Sequence, residues 1–167
     1  MLVTWTAAES RFHSPFLADP RPLMGTENRQ HSETAATDAA KNSMTVTRSL
    51  VSVVDDDESV RESLPDLLKE FGFAVRAFSS AQEFLASDCV GQTRCLILDI
   101  AMPGMTGPGL LQELKLRRQE IPIVFITAQR DEAVRSRMLE QGAVECLFKP
   151  FSDTALLQAL TLALRVS

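Results

Sequence analysis

From about residue 49 onward the chain repeats one pair of patterns. A short, nearly unbroken apolar run is followed by a longer segment whose apolar residues recur every three or four positions. The runs LVSVV (50–54), FAVRAF (73–78), CLILDI (95–100), IPIVFIT (121–127) and VECLF (144–148) each predict a strand. Between the first two, Val60, Leu64, Leu67, Leu68 and Phe71 predict a helix over 58–71 with Gly72 as its C-terminal cap. Pro65 falls inside it and is expected to bend it or to leave a carbonyl unpaired one turn back. SAQEFLAS (80–87) predicts a short helix capped by Ser79 or Ser80. A third helix is expected over 108–119, capped by Thr106, with Pro108 in the first turn, where a missing N–H costs nothing. A fourth covers 131–141 and ends at Gly142, and the last runs from Ser152 or Asp153 to about Leu164. Five apolar strands alternating with five helices imply a parallel sheet covered on both faces. With right-handed crossovers the expected fold is α/β, a (βα)5 flavodoxin-like doubly wound sheet with strand order 2-1-3-4-5.

Before residue 49 neither period persists. Residues 1–43 are rich in Ala, Ser, Thr, Pro and charge, and such a segment buries too little apolar surface to offset its ordering entropy. Residues 1–48 are therefore expected to be a disordered extension, with Trp5, Phe12 and Phe16 as its only aromatic anchors, and residues 49–167 to be the folded domain. The 45% hydrophobic content of the 167 residues suits one domain with a real core. A net charge of −5 gives no general attraction to nucleic acid or anionic lipid, so neither is an expected partner. Cys89, Cys95 and Cys146 form no C-x-x-C pair and read as reduced, mostly buried thiols. No apolar stretch is long enough for a transmembrane helix, and the N-terminus lacks the pattern of a signal peptide. The expected location is the cytoplasm.

Ligands of open parallel sheets bind beyond the carboxyl ends of the strands. Strand one ends at Asp55-Asp56-Asp57, strand three at Asp99, strand four at Thr127 and strand five just before Lys149-Pro150. Taken singly, Asp99 would be a solvated strand end, the acidic triplet a helix start suited to the helix dipole, and Lys149 a solvated lysine. Together, in the expected strand order, they bring carboxylates, a hydroxyl and an ammonium to one rim. Carboxylates that close repel unless a cation intervenes, and oxygen ligands without nearby His or Cys favour Mg²⁺. An anion on that metal beside an exposed carboxylate suggests phosphoryl chemistry with Asp99 as nucleophile.

VVDDDESVRESL, LILDIAMPGMTG, VFITA and FKPF, in that order, resemble the receiver domain of bacterial two-component response regulators. The spacing agrees: 43 residues from Asp56 to Asp99, 28 on to Thr127 and 22 more to Lys149. The resemblance covers about residues 49–164 and is nearest to regulators of the FixJ type, judging from VRESL, GFAVRAFSSAQEFL and GAVECLFKPF. It implies that Asp99 accepts a phosphoryl group from the phosphohistidine of a sensor kinase or phosphotransfer protein. It also implies Mg²⁺ bound directly by Asp56, Asp99 and the backbone carbonyl of Ala101, with Asp55 acting mainly through a metal-bound water. Asp57 is not a usual ligand. Thr127 and Lys149 would contact the phosphoryl oxygens, with Lys149-Pro150 a cis peptide.

The chain departs from the family in three places. Nineteen residues beyond Thr127, where the family commonly has Tyr or Phe, stands Cys146, too small to sweep between two positions as a ring does. The plain reading is a cysteine filling core space. Ala101 and Gln129 occupy positions that flank the attacking water; Ala cannot orient it. Both histidines, His13 and His31, precede the domain, which argues against an internal phosphohistidine relay or a Ser-His-Asp triad. The chain stops at Ser167, leaving no room for a helix-turn-helix output domain. A single-domain regulator acting through a downstream protein, or the receiver fragment of a longer DNA-binding transcriptional regulator, is expected. Leu157 and Leu164, joined by Val134 and Met138, are a candidate homodimer surface on the last two helices and fifth strand. The rivals are a receiver-like interaction module that is not phosphorylated, and a phosphatase related to haloacid dehalogenases. The second needs an acid where Ala101 stands. A P-loop enzyme is excluded because GxxxxGK[ST] is missing.

Overall fold

A computed structural model describes residues 47–166. Its strands are β1 (Leu50–Val54), β2 (Ala74–Phe78), β3 (Thr93–Asp99), β4 (Ile123–Thr127) and β5 (Glu145–Phe148). Its helices are α1 (Glu58–Glu70), α2 (Ala81–Ala86), α3 (Gly107–Leu116), α4 (Glu132–Glu140) and α5 (Asp153–Val166). All strand pairs are parallel, in the order β2-β1-β3-β4-β5, as the pattern predicts. The expected disorder of the N-terminal extension, with Trp5, Phe12, Phe16, His13 and His31, lies outside the described residues.

Side chains alternate across each strand, so neighbours in the central strands feed two separate cores. Val51 and Val53 of β1, Cys95 and Ile97 of β3, and Val124 and Ile126 of β4 pack under α1 and α5. Leu96, Leu98 and Phe125 face the other way, under α2, α3 and α4. Each fully buried leucine or phenylalanine contributes about 2 kcal/mol of transfer free energy. The predicted stripe Leu156, Ala159, Leu160 and Ala163 is the buried face of α5, while Leu157 is exposed. Met138 corrects the candidate dimer surface. It is only 3% exposed and is the one buried side chain of the nine-residue α4, so it seals that helix to the sheet.

The helix starts follow the predicted caps. Ser80 accepts from the Glu83 amide, Thr106 from the Gly109 amide, and α1 continues on both sides of Pro65. Three helix ends close in one way. Phe73 N–H reaches the Leu68 carbonyl and Gly72 N–H the Lys69 carbonyl; the same pair of bonds recurs at Gln119/Arg118 and Ala143/Gly142. This arrangement needs a left-handed residue, supplied by Gly72 (φ +93), Gly142 (φ +107) and, in α3, by Arg118 (φ 56). Helix α3 therefore stops at Leu116, three residues short of the predicted 119. Strand β3 begins at Thr93 rather than Cys95. Thr93 is buried, its hydroxyl lies 2.7 Å from that of Ser52, and it donates to the Cys89 carbonyl at 2.7 Å.

Candidate functional site

Parallel pairing brings the last residues of β1, β3, β4 and β5 to one rim. Asp55 continues the β1–β2 ladder by donating its amide to the Phe78 carbonyl at 3.2 Å. Ile100, directly after Asp99, does the same to Ile126 at 3.2 Å. Thr127 closes β4, and its carbonyl accepts from the Lys149 amide at 2.8 Å, so the hydroxyl and ammonium residues are joined through their backbones. Lys149-Pro150 is a cis peptide, as the resemblance implies.

The acidic triplet divides into three environments. Asp55 is fully buried; one carboxylate oxygen accepts from the Asp57 amide at 2.9 Å and the other from Lys149 Nζ at 2.7 Å. Asp56 is exposed on the rim. Asp57 is the N-cap of α1, accepting from the Ser59 amide at 2.9 Å and the Ser59 hydroxyl at 2.7 Å. The Ser59 hydroxyl, against a small desolvation cost, holds the Asp57 carboxyl below its ordinary value. Its caps are thus already engaged.

Asp55, Asp56 and Asp99 each offer an oxygen lying within 4.8 Å of the others. Asp99 is 7% exposed. Burial first, then the Asp55 charge, push its carboxyl up to about 6, with Lys149 opposing and Asp56 adding a little. Lys149 Nζ is 3.5 Å from Asp99 Oδ1. Burial works against the Lys149 charge, but Asp55 and Asp99 overcome it and hold the ammonium above its ordinary value. Three carboxylates against one ammonium leave the cluster short of positive charge. An all-oxygen donor set of this kind fits a hard divalent cation. Thr127 is buried, its hydroxyl accepting from the Gln129 amide at 3.1 Å. Ala101 is exposed in the loop after β3.

Two neighbours of the site were not singled out from the sequence. Arg61, one turn into α1, donates from Nη1 to the Asp55 carbonyl at 3.0 Å. Gly107 opens α3 with its amide on the Ile100 carbonyl at 3.0 Å; a β-carbon there would lie 2.4 Å from the Asp99 carbonyl oxygen. A glycine just after the capping Thr106 was the available signal for this approach. Nothing in the spacing of Arg61 distinguishes it from a solvated helical arginine.

Cys146 is buried in the α2–α3–α4 core, and burial, aided by the Glu145 charge, pushes its thiol up to about 11. That is core filling, not thiol reactivity. The adjacent Glu145 ties β5 to α4: its Oε1 accepts from Arg135 Nη2 at 2.9 Å and Nε at 3.2 Å.

These features agree with what comparison with known proteins finds. The family profile described as "Response regulator receiver domain" matches residues 51–161. Nodulation protein W of Bradyrhizobium diazoefficiens is 43% identical over 117 residues, covering 70% of this chain and 52% of that protein. Response regulator protein TodT of Pseudomonas putida F1 is 37% identical over 119 residues, covering 71% and 52%. The crystal structure of FixJ-N is 37% identical with a TM-score of 0.64, covering 70% of this chain and 94% of that one. The chain spans about half the length of the curated relatives it matches. On its profile match, its fold and its relatives, this chain belongs to the response regulator receiver family of two-component systems.

Proposed function

We propose that Asp99 is the phosphoacceptor of a Mg²⁺-dependent signalling switch in the unit 49–167. The observation that carries this reading is the buried Asp99 carboxylate beside Asp55, Asp56 and the Lys149 ammonium. An Asp99 carboxylate oxygen attacks phosphorus of a kinase or phosphotransfer-protein phosphohistidine. A P–O bond forms, the P–N bond breaks, and the electron pair leaves with the imidazole. Asp56, Asp99 and the Ala101 carbonyl would hold Mg²⁺ directly and Asp55 through water. When bound, the ion would supply neutralisation of charge on the transferring oxygens. Lys149 leaves Asp55 to pair with the phosphoryl group, and Thr127 donates its hydroxyl to it. The hydroxyl then gives up the Gln129 amide, and the 128–131 loop follows.

The chain would catalyse only its own phosphorylation and slow dephosphorylation. It would act in the cytoplasm by changing its affinity for a downstream protein, with no direct contact to nucleic acid or membrane. No described helix is long and apolar enough to cross a membrane. A homodimer through α4, β5 and α5 would form without Met138, which is buried. A second reading, the receiver of a longer DNA-binding regulator, is favoured by the half-length match to the relatives.

The test is intact mass after incubation with acetyl phosphate and Mg²⁺. One added phosphoryl group is expected, absent in Asp99→Ala and absent with EDTA. If the native chain gains no mass, beryllofluoride binding decides. A chain that also ignores beryllofluoride is a receiver fold without the chemistry, and the proposal is wrong.

A further inference from the structure

Resting on the cation site just proposed, we infer that Arg61 is a positioning residue for it, setting the place of Asp56 through the backbone of the β1–α1 loop. Of the three clustered carboxylates, Asp55 is pinned by Lys149 and the Asp57 amide, and Asp99 faces Lys149. Asp56 is different. It is exposed, and among the described residues no hydrogen bond or ion pair holds its carboxylate. Its placement is therefore decided by its own backbone.

That backbone is fixed by the peptide group between Asp55 and Asp56. The carbonyl of this peptide belongs to a fully buried residue at the point where the chain leaves the sheet. Its hydrogen-bond donor is Arg61 Nη1 at 3.0 Å, reaching back from the first turns of α1. A buried carbonyl left without a donor is costly, so without Arg61 the peptide would turn toward water or another donor. Either turn rotates the Asp56 Cα and moves its carboxylate off the cluster. The α1 helix is itself anchored to the same loop: Asp57 caps it, and the Arg61 amide donates to the Asp57 carbonyl at 3.2 Å. Arg61 thus closes a ring from the helix through its side chain to Asp55 and back through the triplet.

Positioning by Arg61 and the simple electrostatics of its charge act on cation affinity with opposite signs. A guanidinium this near an acidic cluster disfavours a cation by Coulomb repulsion, so deleting its charge should tighten Mg²⁺ binding. A positioning role requires the reverse. Arg61→Met keeps the stem and loses both donor and charge; Arg61→Lys keeps the charge and a donor. Mg²⁺ affinity is measured by isothermal titration calorimetry on the full chain, at a temperature where melting curves show each variant folded. Arg61→Met should weaken binding by about tenfold, the usual cost of losing a partner that orients a ligand. Arg61→Lys should recover most of the loss. Unchanged or tighter binding in Arg61→Met overturns the inference, as does a lower melting temperature with an unaltered affinity. If the native chain itself shows no saturable Mg²⁺ binding, the cation site is wrong and this inference goes with it.

Discussion

At the amino-terminal rim of the sheet, α1, α3 and α4 end in the same two-bond turn at Gly72, Arg118 and Gly142. Each turn returns local amides to carbonyls of the last helical turn, and the charges nearby are exposed. At the opposite rim, the strand ends gather Asp55, Asp56 and Asp99 within 4.8 Å around one lysine, two of the three carboxylates buried. The first rim satisfies its backbone at low cost. The second holds like charges together in a way that one lysine offsets only in part and a bound cation or a proton on Asp99 relieves. This fold keeps its stability at the first rim and gives some up at the second.

The largest effect of a single substitution is expected at Gly107. Its backbone is pressed against the phosphoacceptor loop, and Gly107→Ala would put a methyl 2.4 Å from the Asp99 carbonyl oxygen and 2.9 Å from Phe125 Cε1. A backbone atom cannot step aside as a flexible side chain can. The expected loss is about 3 kcal/mol in urea unfolding, with the residual folded protein phosphorylated poorly.

Asp99 gives the next largest effect, in the other direction. In the folded chain its carboxyl keeps its proton to about pH 6, against an ordinary value of 3.8. The folded state therefore binds more protons between those values, and stability from this group is full below the lower one and is lost as pH rises through about 6. In EDTA, Asp99→Asn should be more stable than the native chain by about 2 kcal/mol at pH 7.5. The gap should close by pH 4. A constant difference across this range would mean that the charge cluster carries no such penalty.

The first rim yields the smallest changes. Gly72 has open space where a β-carbon would stand, so Gly72→Ala tests its φ of +93 alone and should cost about 1 kcal/mol. Arg118 meets the same left-handed requirement without glycine's freedom. Arg118→Gly should gain about 0.5 kcal/mol in thermal melts, without change in phosphorylation.

Much of this was legible in the chain itself. The apolar runs located the five strands, and Ser80, Thr106 and Gly142 marked helix ends by chemistry that works locally. Arg118 hid the end of α3 because nothing about an arginine announces a left-handed residue. Thr93 hid the start of β3 because a polar residue looks like loop until Ser52 of the neighbouring strand supplies its partner. At the site, order and spacing brought Asp55, Asp56, Asp99, Thr127 and Lys149 forward. Order and spacing alone did not separate the three consecutive aspartates, whose division only the family resemblance implied. Asp55 is assigned by Lys149, 94 positions away, and Asp57 by a helix cap, and both are facts of tertiary placement. Met138 failed for a related reason: a helical stripe does not say which of two apolar faces meets the sheet.

The three cysteines carry a consequence for kinetics. All are buried free thiols, at different depths of the same sheet: Cys95 in central β3, Cys146 in edge strand β5, and Cys89 in the turn leading into β3. Burial pushes Cys95 up to about 12, so in the closed protein it offers almost no thiolate to an alkylating reagent. Modification must wait for the strand to open, and its rate then measures the population of opened molecules. The native chain thus contains built-in clocks for the fraying of its edge strand and the unravelling of its centre, readable by mass without a single engineered label.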